Sequence, residues 1–79
     1  MRIVGATFVR NEIEPGWYML HEHIPLGTRY EVDLDRVHTL TLINPRFGSR
    51  DVACIWARNR NGVGGDYLPL LALRLDGDA

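Results

Sequence analysis

Two histidines two residues apart carry the most distinctive chemistry in this chain. His21 and His23 flank Glu22. On a β-strand, residues i and i+2 point to the same face, so both imidazoles could bind one Zn²⁺ or Fe²⁺. Glu31 or His38 would then complete the coordination shell. Solvated histidines at a polar strand end give the same pattern, so metal binding is an alternative hypothesis and we expect no cofactor.

Cys54 is the only cysteine, and the sequence offers it two roles. Paired with a histidine, the thiol could act as a nucleophile. No neighbouring feature predicts the lowered pKa that a reactive thiol needs, and Val52 and Trp56 beside it indicate packing. The chain also has no phosphate loop and no nucleophile elbow. We therefore expect a protein that is not an enzyme and, without a disulfide framework, one that resides in the cytoplasm.

The basic residues are all arginine, and the net charge of −1 gives no global attraction to nucleic acid. Four of the nine fall within one segment, namely Arg46, Arg50, Arg58 and Arg60. With Phe47 and Trp56 they could follow phosphates and stack bases. If residues 51–58 form a strand, however, the two pairs lie at opposite ends, about 25 Å apart. A nucleic-acid-binding barrel is therefore a second alternative.

Aromatic side chains next to arginine are typical of hot spots in protein interfaces. The candidate interface residues are Trp17, Tyr18, Arg46, Phe47, Arg50, Trp56, Arg58 and Tyr67. The competing interpretation is that Trp17 and Trp56 fill the core. Carboxylates between Glu12 and Asp35 would flank the interface and attract a basic partner. The favoured hypothesis is a non-catalytic module that binds another protein, such as an adaptor or an inhibitor encoded by a phage or bacterium.

The elements that must position these side chains are strands. Alternating or β-branched stretches predict strands over residues 2–10, 17–23, 38–44, 51–58 and 67–75, with the second pairing back on the first. Turn residues separate them at 11–16, 44–49 and 59–66. Residues 28–37 predict a short strand or a structured loop. We expect an all-β single domain over residues 1–79, with five or six strands closed as a small barrel.

Two further expectations follow from this strand pattern. No run of 18 apolar residues is present, so no membrane segment is predicted. The first strand, or the strand that carries Thr39 and Thr41, could leave an edge that pairs with a second copy of the chain.

Short sequence fragments over about residues 30–75 resemble the Src-homology-three family. Asp33-Leu34 and residues 40–44 resemble the end of its RT loop and its second strand. Ala57-Arg58 resembles the Ala-Arg that follows the family's paired tryptophans, and residues 64–69 resemble its Gly-Tyr-Ile-Pro stretch before a short 3₁₀ turn. The resemblance implies a five-stranded barrel, or a six-stranded one with an added N-terminal hairpin strand.

The ligand groove of that family does not carry over. Its proline-rich ligands lie across aromatic side chains, but the position of the first tryptophan is Cys54 here. The late tyrosine position falls near Ala72, and only Pro69, with Tyr67, matches. The resemblance therefore implies the fold without proline-rich peptide binding.

Overall fold

The computed structural model describes residues 2–18, 24–59 and 64–77. Within these residues the chain forms seven strands and one 3₁₀ helix, which confirms the all-β prediction. In chain order they are β1 (Ile3–Phe8), β2 (Glu12–Glu14), β3 (Trp17–Tyr18), β4 (Arg29–Asn44), β5 (Gly48–Asn59), β6 (Gly65–Pro69), the 3₁₀ helix Leu70–Ala72 and β7 (Leu73–Leu75).

Five of the strands form one antiparallel sheet in the order β6-β5-β4-β1-β7, and β2 and β3 form a separate hairpin. The predicted pairing of the second strand was wrong: Trp17 and Tyr18 pair with β2, which lies in the segment predicted as a turn. Gly16 has a φ of 84°, and its N–H donates to Glu12 Oε2 at 2.9 Å. This tight turn returns the chain onto the residues just before it. The rest of that predicted strand, residues 19–23, lies outside the described residues.

The segment of weak pattern, residues 28–37, forms most of the first half of β4 and contains its main irregularity. Asp33 pairs with Trp56, yet the next paired residue, Val37, faces Ile55. Residues 34–36 are therefore inserted in the register between β4 and β5, and the insertion interrupts the alternation of side chains by which a strand is predicted. The carboxylate of Asp33, only 6% exposed, accepts the backbone N–H of Asp35 at 2.9 Å and holds this bulge in shape.

The buried face of β5 changes beside the bulge in β4. Val52 and Cys54 are buried on one side of the strand, whereas Ile55 and Ala57 are buried on the other. Each face of β5 is therefore buried along a different half of the strand. β5 therefore contributes to two separate interiors.

The main core draws on every strand of the five-stranded sheet. Its buried members are Ala6, Phe8, Val32, Ile55, Ala57, Leu68, Ala72 and Leu73. In a flat sheet the two edge strands, β6 and β7, would lie about 19 Å apart. Only the three residues of the 3₁₀ helix join Pro69 to Leu73, so the sheet must curl to bring its edges together. The sheet remains open, because β6 and β7 are not paired with each other.

An ion pair crosses the outside of β1 and ties its two neighbouring strands together. Arg29 at the start of β4 donates to Asp76, just after β7, at 3.0 Å, and the Asp76 N–H donates to the Gly5 carbonyl at 2.8 Å. A Cβ at position 5 would overlap the Asp76 carboxylate and lie 2.8 Å from Arg29 Nη2. Glycine at this position therefore makes room for the pair.

Removing the acceptor in the bulge should destabilise the fold. We expect Asp33→Ala to lower the free energy of unfolding by about 1–3 kcal/mol, because the Asp35 N–H loses its charged hydrogen-bond acceptor. Asp33→Asn keeps an acceptor oxygen and should stay within about 1 kcal/mol of the parent. Urea unfolding measures both, with Asp51→Ala as an exposed control. Equal losses for Asp33→Ala and Asp51→Ala would contradict the role of the bulge.

Candidate protein interface

The bulge in β4 places Arg36 over two aromatic rings. Its guanidinium carbon lies 4.4 Å from the centroid of Trp56 and 6.0 Å from that of Tyr67. The two rings face each other across β5 and β6 and meet edge to face, with centroids 5.3 Å apart at 68°. Gly65 leaves space for the indole, since a Cβ there would lie 2.6 Å from Trp56 Cζ2. Both rings are half-buried, so part of each surface is open to solvent.

His38 extends this cluster onto the second half of β4. Its imidazole meets Tyr67 edge to face, with ring centroids 5.5 Å apart at 72°. We call Arg36, His38, Trp56 and Tyr67 the Trp56 cluster. The sequence predicts Trp56 and Tyr67 as interface residues, but not Arg36 or His38. No local signal could have done so, because the register shift at the bulge determines which side chains meet.

An apolar groove lies beside the Trp56 cluster. It has a volume of about 380 Å³, within the range of pockets that receive small molecules or side chains. Its walls come from the β2–β3 hairpin and from β4, β5 and β6, and include Ile13, Trp17, Leu40, Leu42, Cys54, Tyr67 and Pro69. Asp66 adds a carboxylate to this lining. The groove and the cluster share Tyr67, so they form one continuous surface.

Cys54 lines this groove as a protonated thiol. It is buried, and its Sγ lies 3.5 Å from the Val52 carbonyl oxygen. Burial raises the pKa of the Cys54 thiol, and the negative charge of Asp66 raises it further. A raised pKa is the opposite of what a thiolate nucleophile requires. The arrangement accords with the packing role of Cys54.

Trp17 belongs to the interior and not to the open surface. It is 1% exposed and stacks on Phe47, with centroids 6.3 Å apart and planes inclined by 13°. The Arg50 guanidinium lies 5.8 Å from the Trp17 ring and also binds Glu14 at 3.0 Å. The β2–β3 hairpin is thereby fixed onto β5. Tyr18 in β3 and Phe47 in the β4–β5 turn are, in contrast, exposed.

The remaining candidate residues do not form one basic patch. Arg58 lies 3.8 Å from Glu31, and Arg50 has the ion pair with Glu14 described above. These two arginines are eight residues apart on β5, a separation of about 27 Å along a strand. Arg46 is exposed in the β4–β5 turn, where its N–H donates to Asn44 at 2.8 Å. Arg60, His21 and His23 lie outside the described residues.

The acidic run predicted to flank the interface is largely engaged within the molecule. Glu14 and Glu31 have the arginine partners already named, and Asp35 lies 3.4 Å from Arg2. Glu12 and Asp33 accept backbone N–H groups. The run is therefore not a free acidic surface. Across residues 2–18, 24–59 and 64–77, no three histidine, cysteine or carboxylate side chains are grouped so that they could hold a metal ion.

Comparisons with protein-family models, with curated proteins and with solved structures find no significant match to this chain. In the part of the chain that the structure describes, no helix has the length and apolarity needed to cross a membrane. The Trp56 cluster and its groove are thus the features from which a function must be inferred.

The burial of Trp17 predicts a large cost for truncating it. Trp17→Ala should lower the free energy of unfolding by about 3–5 kcal/mol, whereas the exposed Phe47→Ala should lower it by about 1 kcal/mol. Thermal unfolding followed by circular dichroism measures both variants. If Trp17→Ala melted with the parent protein, its place in the interior would be refuted.

The raised pKa of Cys54 predicts a loss of stability in alkali. An unfolded thiol releases its proton near pH 8.5, but the folded protein holds that proton to higher pH. The stabilisation is therefore complete below about pH 8.5 and disappears as the pH rises through the folded pKa. Urea midpoints between about pH 7 and pH 10 should fall more steeply for the parent than for Cys54→Ala. Parallel curves would show that the thiol does not titrate abnormally.

Proposed function

We propose that this protein is a non-catalytic module that binds another protein through the Trp56 cluster and the apolar groove beside it. The observation that carries the proposal is the pair of half-buried rings, Trp56 and Tyr67, stacked with Arg36 at the side of a 380 Å³ groove. Tryptophan, tyrosine and arginine are the residue types that dominate binding energy in protein interfaces.

The cluster is arranged before any partner arrives. Trp56 lies over Gly65, Tyr67 closes one side, and Arg36 stacks above. Side chains that are already ordered lose less rotamer freedom on binding, so more of the contact energy appears as affinity. An apolar side chain of the partner would enter the groove, while Arg36, His38 and Asp66 would supply a polar rim.

We further infer that the sheet is a small barrel of the Src-homology-three type. Three features support this inference: the last strand pairs with the first, a 3₁₀ helix follows Pro69 where the resemblance expects one, and both sheet edges share one core. Proline-rich peptides are not the proposed ligand, because Cys54 stands where an aromatic wall would be needed. Within this proposal the protein acts in the cytoplasm as an adaptor or inhibitor, encoded by a phage or a bacterium.

Nucleic-acid binding remains the alternative function. Arg50 and Arg58 are each neutralised by a carboxylate, and their separation on β5 weakens a joint phosphate contact. The alternative predicts retention on DNA or RNA that falls with salt, with a slope reduced by Arg46→Ala.

Capture experiments with matched variants test the proposed interface. The tagged 79-residue chain should retain a stoichiometric protein from lysate of the source cell or its host after nuclease treatment. Arg36→Ala and Tyr67→Ala should weaken that complex by about 30-fold or more, the loss expected at hot spots. Arg74→Ala removes an exposed arginine from β7 and should bind like the parent.

Circular dichroism of each variant separates lost binding from lost folding. Folded Arg36→Ala and Tyr67→Ala proteins that bind as well as Arg74→Ala would refute the interface. Retention that disappears with nuclease would favour the nucleic-acid alternative instead.

A further inference from the structure

Within the described residues 2–18, 24–59 and 64–77, the second half of β4 has an edge to which no strand is paired. On the side away from β5, β1 pairs with β4 as far as Asp33, and the Leu34 N–H donates to the Arg2 carbonyl at 2.8 Å. Beyond Leu34, none of the described strands pairs with β4 on that side, although β5 continues beside it to Asn44. Residues 37–43 therefore present a row of backbone donors and acceptors that can pair with another strand.

This edge lacks the features that usually protect an edge strand from pairing. Residues 37–43 contain no proline, lysine, arginine or carboxylate. Three of the seven are exposed large hydrophobic residues: Val37 is 41% exposed, Leu40 36% and Ile43 68%. The second half of β4 and the first half of β5 form a two-stranded hairpin. Its other edge, residues 48–53 of β5, differs because it includes Arg50 and Asp51. Natural sheets use such charges to block pairing, so of the two edges of the β4–β5 hairpin only the β4 edge lacks this protection.

When residues 37–43 of two copies run antiparallel to each other, the side chains that face each other are complementary. We propose that two copies of the chain associate by antiparallel pairing of residues 37–43, about a twofold axis at Leu40. Val37 of each copy then faces Ile43 of the other, and Thr39 faces Thr41. His38 faces Leu42, and Leu40 faces its own counterpart. Facing residues of this kind stabilise antiparallel strands.

Neighbouring registers are less favourable. An axis at Thr39 would set Val37 opposite a threonine, and an axis at Thr41 would set Ile43 opposite a threonine. An axis between two residues would bring opposite faces of the two sheets to the same side. Alternation places Val37 and Ile43 on one face of β4 and Leu40 on the other, so the Leu40 register matches apolar residues on both faces.

The assembly closes at two copies. Each chain uses one open edge, and the charged β5 edge does not continue the sheet, so the product is a dimer and not a fibre. A twofold axis perpendicular to the sheet also keeps equivalent faces on the same side. Both Trp56 clusters would therefore face one direction, which would let the dimer engage two sites on a partner.

Sedimentation equilibrium of the full chain, from about 1 µM to about 1 mM, tests the association. The average mass should rise toward twice 9.0 kDa with concentration. Val37→Lys and Ile43→Glu should each weaken the dimer by about tenfold or more, because each places a charge opposite an apolar side chain. The double variant should recover it, since the new ammonium and carboxylate face each other twice. Ala53→Lys, an exposed change on β5, should dimerise like the parent.

Disulfide trapping tests the register independently of variants that add charge. In a Cys54→Ala background, Leu40→Cys should oxidise to a covalent dimer, because the two introduced thiols face each other across the axis. Leu42→Cys lies on the same face but opposite His38, so it should cross-link at least tenfold more slowly. A constant mass near 9.0 kDa at every concentration would overturn the proposal. So would faster cross-linking at Leu42, or a double variant no better than the single ones.

Discussion

The register change in β4 between Asp33 and Val37 is the constraint on which the rest of this structure depends. The β4–β5 register shifts across residues 34–36, and the Asp33 carboxylate accepts the Asp35 N–H within this bulge. A carboxylate buried to this extent is costly unless it is hydrogen-bonded, and here the bond is local and specific. One polar contact thus stabilises the residues at which the β4–β5 register shifts.

The change of buried face in β5 follows from that constraint. Cys54 and Ile55 are adjacent in sequence and both buried, yet they lie on opposite sides of the strand. Ile55 faces the main core shared by all five strands, whereas Cys54 faces the groove under the β2–β3 hairpin. A stretch of 79 residues contributes a limited amount of apolar surface. Using both faces of one strand lets it enclose a core and also keep a groove lined by apolar side chains.

The sequence predicted those parts of the fold in which local pattern and tertiary environment agree. Strands with regular alternation, such as residues 38–44 and 51–58, and the turn at Pro15-Gly16 could be read directly. The first half of β4 could not, because alternation fails where three residues leave the ladder. For the same reason, Trp56 and Tyr67 were selected while Arg36 was not. The burial of Trp17 depends on the hairpin folding over β5, which no local spacing encodes.

The Trp56 cluster and the open edge of β4 have a common origin. The pairing of β1 with β4 ends where the bulge begins, and beyond the bulge no described strand pairs with that side of β4. The bulge itself carries Arg36 onto Trp56. Two surfaces of different chemistry result, one made of ordered rings and a guanidinium, the other of backbone hydrogen-bonding groups. Because His38 belongs to both surfaces, binding at one surface should change the free energy of binding at the other. Such coupling requires no movement of the core, since a side chain shared between two contacts links their free energies directly.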